Sequence, residues 1–152
     1  MNTKTKPPFS NRVHHLGIVV RDMDKAIEHL AALGIGPFEE LNNQYHAPLI
    51  GEPLFRGRPM RVQSKIWNAK VGDIALELFE PDEGESPYRE FLDSKGEGIH
   101  HIGFLVDDLE PVVTRLKKRG ASVVLSVRWQ GNGGCDYLDL GVGGIIVELL
   151  QY

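Results

Sequence analysis

The chain contains the same stretch twice, and this internal repeat constrains its fold more than any other feature. Residues 13–34 align without a gap with residues 99–120 at an offset of 86 positions, and seven of the 22 pairs are identical. The identical pairs are His14/His100, His15/His101, Gly17/Gly103, Val20/Val106, Asp22/Asp108, Leu30/Leu116 and Gly34/Gly120. A repeat of this length indicates two copies of one supersecondary unit.

Each copy begins as a strand and continues as a helix. Residues 13–20 and 99–106 are short, apolar and rich in β-branched side chains, which predicts two β-strands. An aspartate at the N-cap position then predicts helices over 23–33 and 109–119, with apolar side chains at helical spacing and a glycine after the last turn. The sequence therefore predicts a strand followed by an amphipathic helix at the start of each unit.

A second internal match closes each unit. Residues 71–78 align with residues 142–149, and the alignment pairs Glu77 with Glu148. The remaining predicted strands are 35–40, 61–70 and 73–80 in the first unit and 121–129, 135–140 and 145–151 in the second. The fold class is therefore predicted as α+β, with two tandem βαβββ modules that form a curved mixed sheet around a cleft.

The modules are expected to share one domain over residues 12–152. Module one covers 12–80, a linker with a short helix at 88–94 covers 81–97, and module two covers 98–152. Residues 1–11 are polar, contain two prolines and are predicted to form a flexible arm. Residues 41–60 show no period and are predicted as a long irregular loop, which in a compact domain usually has a function.

Composition excludes several classes of function. The net charge of −4 argues against a nucleic-acid surface, which needs concentrated lysine and arginine. No apolar run approaches the roughly 20 residues of a membrane-spanning helix, and the first residues lack a signal-peptide core, which predicts a cytoplasmic protein. The single cysteine, Cys135, excludes an intramolecular disulfide and is interpreted as structural.

Strand parity places four chemically active side chains on one face. Side chains alternate along a strand, and the more apolar face of each strand is assigned to the helix of its own module. The opposite face then carries His15, Glu77, His101 and Glu148. Two sheets related by a pseudo-two-fold axis would bring these four side chains into one cleft.

Two imidazoles and two carboxylates suit one borderline divalent cation, such as Zn²⁺, Ni²⁺, Co²⁺, Mn²⁺ or Fe²⁺. A single histidine or glutamate in a strand is more often an ordinary polar residue, but the repeat returns the same residue types at the same parity. His14 and His100 have the opposite parity. They are predicted to close the helix-side core or to hydrogen-bond behind the ligands.

These residues resemble the vicinal oxygen chelate superfamily, which includes glyoxalase I, ring-cleaving dioxygenases and bleomycin-resistance proteins. The second half is most similar to the methylmalonyl-CoA epimerase-like members. The matching segments are 86–92, 95–103, 106–109, 131–134 and 146–151. The resemblance implies a glyoxalase-like fold, a metal set of His15, Glu77, His101 and Glu148, and a homodimer. Residues 42–67 and 139–144 depart from the epimerase pattern.

The resemblance implies an enzyme that removes a proton next to a carbonyl of a small carbonyl or thioester substrate. Glu148 and Glu77 are the candidate catalytic bases, and an epimerase-like isomerase is the preferred interpretation. A glyoxalase I-like lyase, a dioxygenase and a non-enzymatic drug-binding protein are the alternatives. The basic residues Arg56, Arg58, Arg61 and Lys65 are interpreted as surface charge, or as a site for a carboxylate or a CoA phosphate. Trp67 and Trp129 are candidates for the pocket wall.

Overall fold

A computed structural model describes residues 12–41, 47–61 and 64–152, so the arm predicted over residues 1–11 lies outside the described residues. The elements, in chain order, are β1 (Val13–Val19), α1 (Met23–Ala32), β2 (Glu39–Glu40), β3 (Leu54–Phe55), β4 (Arg58–Pro59), β5 (Ser64–Val71), β6 (Ile74–Pro81), α2 (Pro87–Lys95), β7 (Gly98–Leu105), α3 (Leu109–Lys118), β8 (Ser122–Trp129), β9 (Gly133–Asp139) and β10 (Ile146–Gln151).

The described strands form one curved, open sheet with a symmetric centre. The strand order is β2-β5-β6-β1-β7-β10-β9-β8-β3-β4. β1 and β7 pair antiparallel in the middle, and each pairs in parallel with the last strand of its own module, β6 or β10. The predicted α+β class and the two βαβββ modules are confirmed, while the division into one domain with a linker at 81–97 stays a prediction.

Helices α1 and α3 cover the outer face of the sheet. α1 packs with Val20, Met23 and Leu78, and α3 packs with a second cluster that includes Leu138 and Leu149. Both clusters lie on the apolar strand faces that were assigned to the helices. The inner face of the sheet carries the cleft, and α2 packs on that side, where Tyr88 stacks on Phe79. Among the described residues, no helix combines the length and the apolar character needed to cross a bilayer.

The first amide of α1 and of α3 donates a hydrogen bond to a side chain of the last strand of the same module. The Met23 amide donates to Glu80 Oε2 at 2.6 Å, and the Leu109 amide donates to Gln151 Oε1 at 2.6 Å. Asp22 also caps α1 by accepting from the Lys25 amide, whereas Asp108 makes no side-chain capping hydrogen bond. The two acceptors, Glu80 and Gln151, therefore stand at equivalent positions in the two modules, related by the same offset that pairs Glu77 with Glu148.

Two predictions about the first module are wrong. The predicted strand 35–40 is reduced to Glu39–Glu40, because Gly36 within it adopts a φ of 142°, which is outside the extended conformation of a strand. The predicted loop 41–60 contains the β3–β4 hairpin, whose two turn residues, Arg56 and Gly57, both have positive φ, as a type I′ turn requires.

This hairpin belongs to module one in sequence but joins module two in space. β3 pairs antiparallel with β8, at the edge of the sheet farthest from β2. The residues before the hairpin continue along the end of β8, where Leu49 forms a bridge with Trp129 and the Ile50 amide donates to the Arg128 carbonyl. The insertion therefore extends the wall that β8 contributes to the cleft.

We expect substitution of the two N-cap aspartates to affect stability differently, because only α1 is capped by its aspartate side chain. Gln151→Ala should lower the free energy of unfolding by about 1 kcal/mol, because it leaves the Leu109 amide without its acceptor. Asp22→Ala should also lower it, because it leaves the Lys25 amide without its side-chain acceptor. Asp108→Ala should cost clearly less, since its side chain accepts no capping hydrogen bond. Urea denaturation of the three variants measures this difference. An Asp108→Ala cost equal to that of Asp22→Ala would contradict the assignment.

Candidate metal centre

The four predicted donors come from four adjacent strands and meet on the inner face of the sheet. His15 Nε2 and His101 Nε2 lie 3.1 Å apart. Glu148 Oε2 lies 2.8 Å from His15 Nε2 and 3.1 Å from His101 Nε2, and Glu77 Oε2 lies 3.8 Å from His15 Nε2. The donor atoms of His15, Glu77 and His101 are all within 4.8 Å of one another, so these residues could hold a metal ion.

Two glycines make room for the histidine rings. Across the central strand pair, His15 is opposite Gly103 and Gly17 is opposite His101. A Cβ atom on Gly17 would lie 1.9 Å from Cε1 of His101, and one on Gly103 would lie 2.1 Å from Cε1 of His15. Neither glycine has a positive φ, so both are needed for space and not for backbone conformation. Each module thus leaves a cradle for the histidine of the other.

β-Bulges place a second histidine behind each ring. The register of β1 with β7 shifts at His14 and at His100, the two positions paired by the repeat. His14 Nδ1 shares a hydrogen bond of 2.8 Å with His15 Nδ1, and His100 Nδ1 shares one of 2.9 Å with His101 Nδ1. These contacts fix the rings so that Nε2 faces the cleft, as supporting partners of metal-bound histidines do.

The predicted hydrogen-bonding role of His14 and His100 is therefore confirmed, and their predicted placement in the helix-side core is wrong. His14 lines the cleft, and His100 packs against Tyr88 and Phe91 of α2. Strict side-chain alternation fails at both positions because a bulge sets two residues opposite one.

A cavity of about 310 Å³ adjoins the donors. Its module-one side carries Asn68 and Glu77 beside the apolar residues Ile66 and Phe79, and its module-two side includes apolar and aromatic residues of β8 and β9. Tyr88 and Tyr137 also line it, and their hydroxyls share a hydrogen bond of 2.7 Å. The site therefore combines a polar floor with a mostly apolar wall, which is typical of small-molecule sites.

The sequence profile of the Glyoxalase/Bleomycin resistance protein/Dioxygenase superfamily matches residues 14–138. The chain belongs to this superfamily. The matched range includes three of the four converging side chains, and Glu148 follows it on β10. The resemblance that the sequence predicted is thus confirmed at the level of the family.

Methylmalonyl-CoA epimerases are among the similar proteins. The human mitochondrial enzyme is 26% identical over 145 residues, which are 92% of this chain and 73% of that protein. The crystal structure from Mycobacterium tuberculosis has a TM-score of 0.69 at 23% identity and covers 98% of this chain and 93% of its own. The structure of a Streptomyces coelicolor methylmalonyl-CoA epimerase variant in complex with 2-nitronate-propionyl-CoA has a TM-score of 0.67 at 23% identity. It covers 92% of this chain and 93% of its own. The structural likeness establishes the fold.

Burial and charge give the site residues of this superfamily member different proton affinities. Burial raises the pKa of Glu77 to about 7, although the nearby His15 opposes the shift. Burial also opposes ionisation of Glu148, but the two imidazoles hold its pKa well below the usual range. The carboxylates of Glu148 and Glu77 outweigh burial at His15 and raise its pKa to about 9, while burial lowers the pKa of His101. Glu148 is thus ionised, and Glu77 exchanges its proton near neutral pH.

The other predicted site residues divide between the cavity and the surface. Trp129 lines the cavity, whereas Trp67 packs on the α1 side of the sheet. In the predicted basic run, Arg56 binds Glu90 at 2.7 Å, Arg58 lies 3.7 Å from Glu85 and Lys65 binds Glu80 at 2.9 Å. These contacts favour the interpretation of the basic run as surface charge.

Sequence reasoning missed several residues that shape the site. The identical glycines, Gly17 and Gly103, were visible in the repeat, but their role appears only when the two strands are paired. Tyr88 lies in the predicted linker helix and Tyr137 in a predicted strand, and no local pattern indicated that their hydroxyls would meet.

A methyl group at either cradle should weaken metal binding without unfolding the chain. Gly17→Ala and Gly103→Ala force His101 or His15 to move, so we expect zinc affinity to fall about 10–100-fold. Competition with a chromophoric chelator measures the affinity, and thermal denaturation checks the fold. Gly84→Ala, in the exposed linker, is the matched control, because a Cβ there meets only the Asp82 side chain. Wild-type affinity in both cradle variants would contradict the assignment.

Metal uptake should release protons. Without an ion, His15 with a pKa of about 9 is protonated at pH 7, and Glu77 with a pKa of about 7 is half protonated. A cation needs both groups deprotonated, so binding at pH 7 should release between about one and two protons and tighten as the pH rises towards 9. Calorimetry in buffers of different ionisation enthalpy counts the protons. His29→Ala, on the exposed side of α1, should leave the count unchanged, and a count of zero would refute the scheme.

Proposed function

We propose that this chain is a divalent-metal-dependent enzyme that abstracts a proton next to the carbonyl of a small thioester or related carbonyl compound, as an epimerase-like isomerase. One observation carries the proposal: two carboxylates related by the pseudo-two-fold axis, Glu77 and Glu148, flank two imidazole Nε2 atoms that face each other at 3.1 Å. The family relationship to methylmalonyl-CoA epimerases supports it.

The donor set fits one divalent cation. His15, His101, Glu77 and Glu148 would hold it, because two neutral imidazoles and two carboxylates provide borderline ligands and balance the charge of the ion. Zinc, nickel, cobalt, manganese and iron all accept such ligands. When bound, the cation would polarise a carbonyl oxygen of the substrate and so make the neighbouring carbon more acidic.

The two carboxylates differ in how tightly the protein holds them. Glu148 Oε2 reaches both histidines, and its side chain is 8% exposed. Glu77 lies 3.8 Å from its nearest histidine nitrogen and its side chain is 18% exposed, where it lines the cavity. Glu77 is therefore the better placed of the two carboxylates to accept a proton from the substrate.

An epimerase needs a proton acceptor on one face of the carbon and a proton donor on the other. Glu77 stands on β6 and Glu148 on β10, on opposite sides of the β1–β7 pair, so they can approach a bound carbon from two sides. The surrounding residues help by excluding water: Tyr137, Trp129 and Leu150 are each buried and line the cavity.

A glyoxalase I-like lyase is the second candidate, and one observation favours it. Glu148 Oε2 contacts both imidazole Nε2 atoms, at 2.8 and 3.1 Å, whereas Glu77 lies 3.8 Å from its nearest histidine nitrogen, which leaves Glu77 as the one carboxylate free to carry a proton. Transfer of a proton between neighbouring carbons of a hemithioacetal needs only one such group.

Deuterium exchange tests the proposal. The metal-loaded protein is incubated in D₂O with methylmalonyl-CoA, propionyl-CoA, phenylacetyl-CoA and the hemithioacetal of glutathione and methylglyoxal, and NMR follows the proton next to each carbonyl. We expect exchange with at least one of these compounds, and a loss of about 10²–10⁴-fold in Glu77→Gln.

Glu83→Gln, an exposed glutamate of the linker, is the matched control and should exchange at the wild-type rate. Full exchange by protein stripped of metal, or an unchanged rate in Glu77→Gln, would refute the proposal. Exchange confined to the hemithioacetal would select the lyase over the isomerase.

A further inference from the structure

We infer that the substrate carries an uncharged apolar group about the size of a phenyl ring, which lies against an apolar wall formed by Leu125, Val127 and Trp129. This inference rests on the proposed function, because the metal centre would hold the other end of the molecule. It differs from what a methylmalonyl group would need, since that group carries a second carboxylate.

The apolar wall follows from the alternation of β8. Its three members are every second residue of the strand, so they share one face, and all three line the cavity that contains His15 and Glu77. Each is at most 3% exposed, and Tyr137 of β9 continues the surface beside them. An apolar group placed there would lose most of its contact with water.

Trp129 is held in one position before any ligand binds. It is paired with Gly133 across the β8–β9 ladder, and a Cβ atom on Gly133 would lie 1.7 Å from the indole Nε1. The indole therefore occupies the space over this glycine. Leu49 bridges to the Trp129 backbone from the other side. A wall fixed in this way binds a flat apolar group without a large ordering cost.

The charges around the cavity disfavour an anionic group at the apolar wall. No lysine or arginine is among the cavity-lining residues in the described part of the chain, whereas Glu77 and Glu148 are. Arg128 lies between two members of the wall, but its side chain is on the opposite face and binds Asp136 at 2.9 Å and Glu110 at 2.7 Å. A substrate carboxylate at the wall would be desolvated without a lysine or arginine to pair with it, at the end of the molecule away from the proposed metal ion.

The cavity size agrees with a substituent of this kind. A volume of about 310 Å³ is at the lower end of the range for small-molecule sites, roughly 300–1,000 Å³. It can hold a chelating group and one ring, so any larger part of a thioester would extend outside it.

Hydroxamates test the inference, because they offer a divalent ion two neighbouring oxygens and differ only in the attached group. Calorimetry on the zinc-loaded protein compares acetohydroxamate, benzohydroxamate and succinic monohydroxamate. We expect benzohydroxamate to bind about 10–50-fold more tightly than acetohydroxamate, from the extra apolar area that it buries. Succinic monohydroxamate, which carries a carboxylate, should bind no better than acetohydroxamate.

Trp129→Ala should reduce the preference for benzohydroxamate to within about threefold. Trp67→Ala is the matched control, because this tryptophan packs on the α1 side of the sheet and does not line the cavity. Thermal denaturation checks both variants. If Trp129→Ala does not fold, the ranking of the three hydroxamates by the wild-type protein decides.

The outcomes separate the two proposals. Suppose that the protein takes up zinc but binds the three hydroxamates equally, or binds succinic monohydroxamate most tightly. Either result would contradict the inferred apolar substituent without contradicting the proposed function. A protein that takes up no divalent ion and binds no hydroxamate would refute both.

Discussion

The fit of two imidazole rings into the spaces over two glycines is the contact on which the site depends. Gly17 and Gly103 lie opposite His101 and His15 in the central strand pair, and neither ring could occupy its position if the opposing residue carried a Cβ. This packing brings two Nε2 atoms to 3.1 Å in a buried place. Such a pair is costly unless a proton or a cation lies between the rings and a carboxylate balances it, and Glu148 is positioned for that task.

The equivalent and the inequivalent parts of the two modules contribute different features of the site. The equivalent parts of the modules supply the histidines, the glycines, the glutamates and the acceptors Glu80 and Gln151 for the helix N-termini. The inequivalent parts shape the cavity, since β8 provides an apolar face and the module-one insertion extends that edge of the sheet. Under the proposed function, the repeated residues would hold the ion, and the residues that depart from the repeat would select the substrate.

The sequence predicted those features that follow from one local rule, such as the alternation of side chains along a strand. Alternation along the strands and the two internal matches predicted that His15, Glu77, His101 and Glu148 would meet. The placement of His14 and His100 from side-chain alternation was wrong, because β-bulges interrupt the alternation at both residues. No local sequence pattern predicts a bulge. The β3–β4 hairpin was missed because its partner, β8, lies about seventy residues away in the chain, and long-range pairing leaves no period in a short segment.

Anomalous diffraction from crystals of the protein grown with zinc would test the central claim most directly. One strong peak per chain is expected at the zinc edge, roughly 2.0–2.2 Å from Nε2 of both His15 and His101 and from an oxygen of Glu77 and of Glu148. A peak elsewhere, or no peak while Glu148 still bridges the two imidazoles, would show that these four residues form a structural hydrogen-bond network and not a metal centre.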